Sequence, residues 1–254
     1  MLNFRFIKAQ FKTVWTVILA FLIIFTILIA FINIFLVLGE KQELGVGSSY
    51  TQCAALFLNM FTFGIGSFAI FLAFGIVMNI ILINKDINHG YIVSWLTASI
   101  TRKSIFNSKL FIIINATLIL NLWIVVVEMS SFSLRIEDFN QAVGNLLLGN
   151  LALLCFSLMT VSETWIVFSI FRKTGIALGI LLVVGLWFAF SYLMNNLSVF
   201  NGLENLKYFK YFTIQSLFNS PIKFAELSLS SGSDENIVEY AKILPIQTLD
   251  YIWQ

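Results

Sequence analysis

The sequence predicts an all-α polytopic membrane protein that crosses a bilayer about five times, and three observations predict it. Hydrophobic residues make up 59% of the 254 residues and charged residues only 11%, against about a quarter charged in ordinary soluble domains. A surface that poor in charge does not keep a globule of this size in water. Five apolar runs each approach or exceed the ~20 residues that span a ~30 Å hydrocarbon core at 1.5 Å rise per residue. Lysines and arginines alternate from one connection to the next, as they do between the two sides of a membrane.

The first fourteen residues place Phe4, Ile7, Phe11 and Val14 at helical spacing, with Arg5, Lys8 and Lys12 on an adjacent face. An apolar stripe beside a basic one suits an interfacial helix over 1–13 at an anionic membrane surface. It also suits the plain basic flank of a span. The apolar spans follow at 14–38, 54–83, 110–127, 143–170 and 175–194, so that 14–194 holds all five crossings. The first is too long for the apolar core of a signal peptide, and no small-residue cleavage site follows it. The second and fourth exceed what a bilayer needs and are expected to tilt, kink or project.

Orientation follows from the short connections. With the N-terminus in the cytoplasm, the inner segments hold Arg5, Lys8, Lys12, Lys85, Arg102, Lys103, Lys109, Arg172 and Lys173. The short outer loops hold only Lys41 and Arg135, with Glu40, Glu43, Glu137 and Asp138. The expectation is a multi-pass protein of the cell membrane. Residues 195–254 then form an extracytoplasmic segment. Its stretch 206–218 is aromatic-rich, like an interfacial helix, and 227–236 reads as a loop. The whole chain reads as a single transmembrane domain.

The chain lacks a GxxxxGK[ST] phosphate loop, a GxSxG elbow, an HExxH motif and any pair of close carboxylates inside a span. No enzymatic activity of its own is expected, and no metal or cofactor bound to this chain. Cys53 and Cys155 lie in or beside apolar runs without metal-ligand spacing, and a single histidine, His89, excludes a multi-histidine site. The basic residues flank spans, so nucleic acid is not an expected partner. Membrane lipid is.

Polar residues inside the spans are Asn33, Asn59, Asn79, Asn115, Asn121, Asn145, Asn150, Ser157, Thr160, Ser162 and Glu163. Asparagines and hydroxyls commonly bond across helices in lipid; contact with a transported molecule is the other reading. Glu163 is the candidate functional residue, because an ionisable group within a span is costly. Its position two turns before Arg172 and Lys173 also suits the cytoplasmic interface. Glu128 ends the third span on the outer side and is expected to be solvated. Gly175 and Gly179 form a GxxxG that would permit close helix approach.

The connection 84–109 is the most informative stretch. Its apolar centre, with Ile92, Trp95, Leu96 and Ser99 near helical spacing, predicts a short helix at the cytoplasmic side, flanked by Lys85–Asp86 and Arg102–Lys103. Such a helix needs a cover, either headgroups or a partner protein.

Around this stretch the sequence resembles the ABC-2 type permease family, the membrane subunits of many ATP-driven exporters. The resemblance rests on Asp86, Gly90-Tyr91, Trp95-Leu96-Thr97, Ile100-Thr101-Arg102 and Ser108-Lys109, with Ser99 near the place of the family's proline. The end of the fourth span, SETWIVFSIFRKTGIALG, is also similar to the family's pattern. The resemblance implies that 88–99 is a coupling helix docking in a separate ATPase. Asp86, His89, Gly90, Tyr91, Trp95, Leu96, Thr97, Arg102 and Lys103 would then serve that coupling. It implies a P-loop ATPase dimer that carries ATP and Mg, and a second permease copy or paralogue. The cargo it implies is hydrophobic or amphipathic: a peptide, drug or lipid. The family usually has six spans, and this sequence reaches Tyr251-Ile252-Trp253-Gln254 where a sixth is expected to begin. The resemblance therefore implies either a truncated chain or an absent sixth span. A different class of function also fits the residues: a non-transporting scaffold or immunity-type protein that binds a hydrophobic peptide.

Overall fold

A computed structural model of the chain describes residues 4–41, 62, 64–84, 101–133, 139–171, 173–197 and 208–209. Nearly all of these are helical, in the order α1 (Phe4–Lys41), α2 (Ile65–Asn79) continued by a π-helical turn (Ile80–Asn84), α3 (Arg102–Phe132), α4 (Phe139–Ile170) and α5 (Thr174–Leu197). Five stretches are long and apolar enough to cross a membrane: Phe6–Ile34, Ile65–Ile83, Lys103–Ser131, Leu146–Ile170 and Thr174–Met194. All five expected spans are thus present.

Each helix is apolar on more than its packed face, as membrane helices are. Ile23, Ile27, Leu122, Val126, Leu147, Leu151, Leu182, Val183 and Leu186 point outward. A belt of exposed leucine, isoleucine and valine on this scale is a surface for lipid tails rather than for water.

Two boundaries differ from the sequence reading. The expected interfacial helix at 1–13 does not stand apart: α1 runs as one helix from Phe4 through the first span. Its 38 residues rise about 57 Å, so it extends beyond a ~30 Å hydrocarbon core. No proline interrupts it and its one glycine, Gly39, falls in the last turn, while Ile7 and Phe11 pack on the same core as Val14 and Ile18. The third span also begins earlier than its apolar run. The Thr101 hydroxyl accepts from the Ser104 amide at 3.3 Å, an N-cap that starts α3 a full two turns before Leu110.

Ring contacts fix the relative directions of the helices. Phe21 meets Phe74 at 5.1 Å and Phe25 meets Phe71 at 5.3 Å, so α1 and α2 are antiparallel. Early in α3, Lys109 bonds the Leu82 carbonyl at the end of α2, so α3 is antiparallel to α2 and parallel to α1; in keeping with this, the Trp123 indole donates to the Thr26 hydroxyl at 2.9 Å, about six turns from the start of each helix. Phe106 meets Trp165 at 4.9 Å, start against end, which makes α3 and α4 antiparallel. Phe68 touches Phe156 at 5.8 Å and Phe188 at 5.4 Å, joining the early part of α2 to the middle of α4 and the late part of α5. The helices therefore alternate in direction along the chain. The start of α1, the end of α2, the start of α3, the end of α4 and the start of α5 gather at one end of the bundle. Lys8, Lys12, Lys103 and Lys173 lie exposed there, and we call it the basic end.

The core lies between α1, α2, α3 and α4. Phe25, Phe71, Phe74, Met78, Ile112, Ala116, Leu120 and Ile124 are fully buried in it. A smaller cluster of Phe168, Ala177 and Leu181 seats α5 on the outside of α2 and α4.

Candidate functional site: a polar seam along the fourth helix

Helix α4 carries Asn150, Ser157 and Thr164 at intervals of seven residues. Seven residues are close to two turns, so the three share one stripe that drifts about 20° per interval. All three are buried. A polar stripe inside an apolar bundle is tolerated only where each group finds a partner.

The partners come from two helices. Asn150 donates through Nδ2 to Glu128 Oε2 at 2.7 Å and to the Leu146 carbonyl at 2.9 Å. Two turns along, Asn121 donates to Ser157 Oγ at 2.8 Å and to the Thr117 carbonyl at 2.9 Å. Glu128 and Asn121 are themselves seven apart on α3. Antiparallel helices with matching seven-residue intervals stay in step, so two rungs form between α3 and α4. At the third rung α2 replaces α3. Asn79 donates to Thr164 Oγ1 at 3.0 Å and to the Gly75 carbonyl at 2.7 Å.

In each rung the amide spends its hydrogens on one bond within its own helix and one across. That pattern fixes the amide orientation. It also leaves Asn79 Oδ1, Asn121 Oδ1 and Glu128 Oε1 buried with no hydrogen-bond partner. The seam is rich in acceptors and short of donors. It is suited to receive water, a cation or a donor-bearing molecule.

Gly75 permits the third rung. A Cβ built there overlaps Thr164 Oγ1, with Thr164 Cγ2 at 3.0 Å. Gly185 similarly faces Leu72 Cδ2 at 3.0 Å. The GxxxG singled out in the sequence is different: Gly175 and Gly179 have open space around them, so they serve no helix contact among the described residues.

Glu128 corrects the sequence reading. It is not solvated but completely buried. The reason is that α3 continues to Phe132, which puts Glu128 a full turn inside the helix, on the stripe that faces α4. Glu163 lies half-buried on α4, beside Thr164 and toward the basic end. Asn33 and Asn115 bond within their own helices, to the Ile29 carbonyl at 2.9 Å and the Phe111 carbonyl at 2.8 Å.

At the basic end, Lys109 of α3 is 5% exposed and its ammonium donates to the Leu82 carbonyl. Leu82 sits in the π-helical turn. A π turn bonds i to i+5 and re-aims its carbonyls, and the negative end of the α2 dipole favours a cation there. This tie joins the two helices that flank residues 85–100. Of the residues expected to couple to an ATPase, Asp86, His89, Gly90, Tyr91, Trp95, Leu96 and Thr97 lie outside the described residues. Arg102 opens α3, and Lys103 is exposed on its first turn.

Beyond the membrane spans, Phe209 of the aromatic segment meets Phe190 of α5 at 6.0 Å, edge to face. Of the expected outer segment, 195–197 continue α5, and 198–207 and 210–254, like Cys53, lie outside the described residues. Cys155 is a free, exposed thiol on α4. No protein-family model matches this chain, and neither a curated protein nor a solved structure matches it.

Proposed function

We propose that this chain is the membrane subunit of an ATP-driven exporter of the ABC-2 permease type, working with a separate ATPase. The observation that carries the reading is the bond from Lys109 to the Leu82 carbonyl. It closes the base of the 85–100 connection, the stretch whose residues resemble the family's coupling element. A tied base transmits force: a push on 85–100 moves the end of α2 and the start of α3 together. Rigid spans then carry the displacement to the far end of the bundle.

The positive-inside rule puts the basic end, with Lys8, Lys12, Lys103 and Lys173, in the cytoplasm. That is the side where an ATPase would dock, and it gives a cytoplasmic N-terminus in the cell membrane. ATP hydrolysis resides in the partner. The cargo that the family resemblance implies is hydrophobic or amphipathic.

The test uses the full chain in its native membrane, with Cys53 and Cys155 replaced by alanine and Trp95→Cys added. An impermeant maleimide is expected to label Trp95→Cys only after the cells are opened. The chain extracted in mild detergent is expected to carry a stoichiometric subunit that photolabels with an azido-ATP analogue. Labelling from outside intact cells, or a chain free of any nucleotide-binding subunit, would overturn the reading. Recovery of a bound hydrophobic peptide without such a subunit would favour a peptide-binding immunity protein instead.

A further inference from the structure

Glu128 presents an imbalance of charge. Its carboxyl group has no exposed surface. Asn150 supplies one hydrogen bond to Oε2 at 2.7 Å, and Oε1 meets no partner. The hydroxyls nearest in sequence, Ser130 and Ser131, both spend their hydrogens on the Val127 carbonyl, at 3.0 and 2.6 Å. An ionised carboxylate accepts about four hydrogen bonds in water. One amide donor does not offset the loss of the others, and burying an uncompensated charge is strongly unfavourable.

No described side chain supplies the opposite charge. Of the described charged side chains, Lys8 and Lys12 of α1 lie at the basic end, as do Lys103 and Lys109 of α3, Glu163 of α4 and Lys173 at the start of α5, while the side chains of Glu40 and Lys41, which end α1, lie outside the described ones. Glu128 is one turn from the opposite end of α3. Tyr192 is the titratable group of α5 at that end, but α5 packs on α2 and α4.

We propose that Glu128 and Asn150 form a buried binding site for one positive charge, either a proton or a monovalent metal cation. Asn150 is the positioning residue. Its second amide hydrogen is held by the Leu146 carbonyl at 2.9 Å, so its donor stays on Oε2 and Oε1 is left as the receiving atom. The charge is single because a single carboxylate serves the site. Among the described residues, no group of three His, Cys, Asp or Glu side chains converges to hold a multivalent metal. The Asn121 carbonyl oxygen is two turns away, about 10 Å along α3, and belongs to its own rung.

The site is tested by infrared difference spectroscopy on the full chain in detergent, comparing wild type with Glu128→Gln. Glutamine keeps the acceptor for Asn150 and removes the ionisable group. A bound proton predicts that wild type shows a carboxylic-acid carbonyl band that Glu128→Gln loses. A bound metal cation predicts a carboxylate band that shifts when choline is exchanged for sodium or potassium, with the shift lost in Glu128→Gln. Either result supports the site, and the two distinguish its occupant. A Glu128 carboxylate band that no cation moves would overturn the proposal. If Glu128→Gln does not fold, Glu128→Asp displaces the same band instead of deleting it, and the cation exchange on wild type needs no variant.

Discussion

Gly75 and Thr164 occupy space that only a glycine on one side allows: a Cβ at Gly75 would overlap the Thr164 hydroxyl. Their contact sets how closely α2 approaches α4, and Asn79 can reach across only because of it. Gly75→Ala is therefore expected to destabilise the bundle by about 1–3 kcal/mol, the range for overpacking a filled interior. Thermal unfolding in detergent measures this. Adding Thr164→Ala removes the two nearest side-chain atoms and is expected to restore part of the loss, a non-additivity that marks direct contact.

Removal of Asn150 is expected to cost more than removal of either other bridging asparagine. An interhelical hydrogen bond inside a membrane contributes about 0.6 kcal/mol on average, which sets the expectation for Asn121→Leu and Asn79→Leu. Asn150→Leu also strips Glu128 of the donor at Oε2, leaving a buried acidic group with no hydrogen-bond donor on either oxygen. The expected loss is about 1–3 kcal/mol. Equal losses for all three variants would contradict the pairing of Asn150 with Glu128.

Lys109 ties α3 to the π turn that ends α2. Lys109→Met keeps the stem and removes the charge-assisted bond, which contributes about 1.5–3 kcal/mol in such settings. Amide exchange within 80–84 is expected to rise, while exchange in the middle of α2 stays unchanged. Uniform exchange along the helix would mean the tie is dispensable.

The parallel alignment of α1 with α3 is testable through Trp123 and Thr26. Trp123→Phe and Thr26→Val each remove one partner, at an expected ~0.5–1.5 kcal/mol. Their double-mutant cycle is expected to show a coupling of the same order, because the second substitution finds the bond already gone. Purely additive losses would argue that the two helices are not in this register.

The sequence announces the five spans because apolar length is a direct physical requirement of a bilayer. The runs 54–83 and 143–170 contain α2 and the membrane stretch of α4. What it conceals lies where polarity and burial disagree. Thr101 to Lys109 looks like a hydrophilic connection, yet it is the first two turns of α3, started by a threonine cap and closed by a buried lysine. Glu128 looks like the wet end of a span because the apolar run stops at Val127. Only the seven-residue interval from Asn121, matched by that from Asn150 to Ser157, hints that it faces inward.

The glycines teach the same lesson from the other side. Gly175 and Gly179 have the spacing associated with tight packing and meet nothing. Gly75 has no such motif, yet a Cβ there would overlap Thr164. Spacing describes one helix, whereas fit depends on two. The asparagines at 79, 121 and 150 do bond across helices, as polar groups in lipid are expected to. Which residue each one meets, and the fact that α4 takes part in all three bonds, depends on helix order in space.

The π turn at Ile80–Asn84 has a consequence for insertions and deletions. A loop closed by an i to i+5 bond holds one residue more than the α turn it replaces. Losing a single residue between 80 and 84 would let that turn relax to ordinary helical winding, with Asn79 and Gly75 still in place upstream. Losing one residue between 65 and 79 would instead rotate every contact that follows by about 100°, the angle per residue of an α-helix. The membrane end of α2 thus holds a spare residue, and chain length can vary there without unthreading the rest of the bundle.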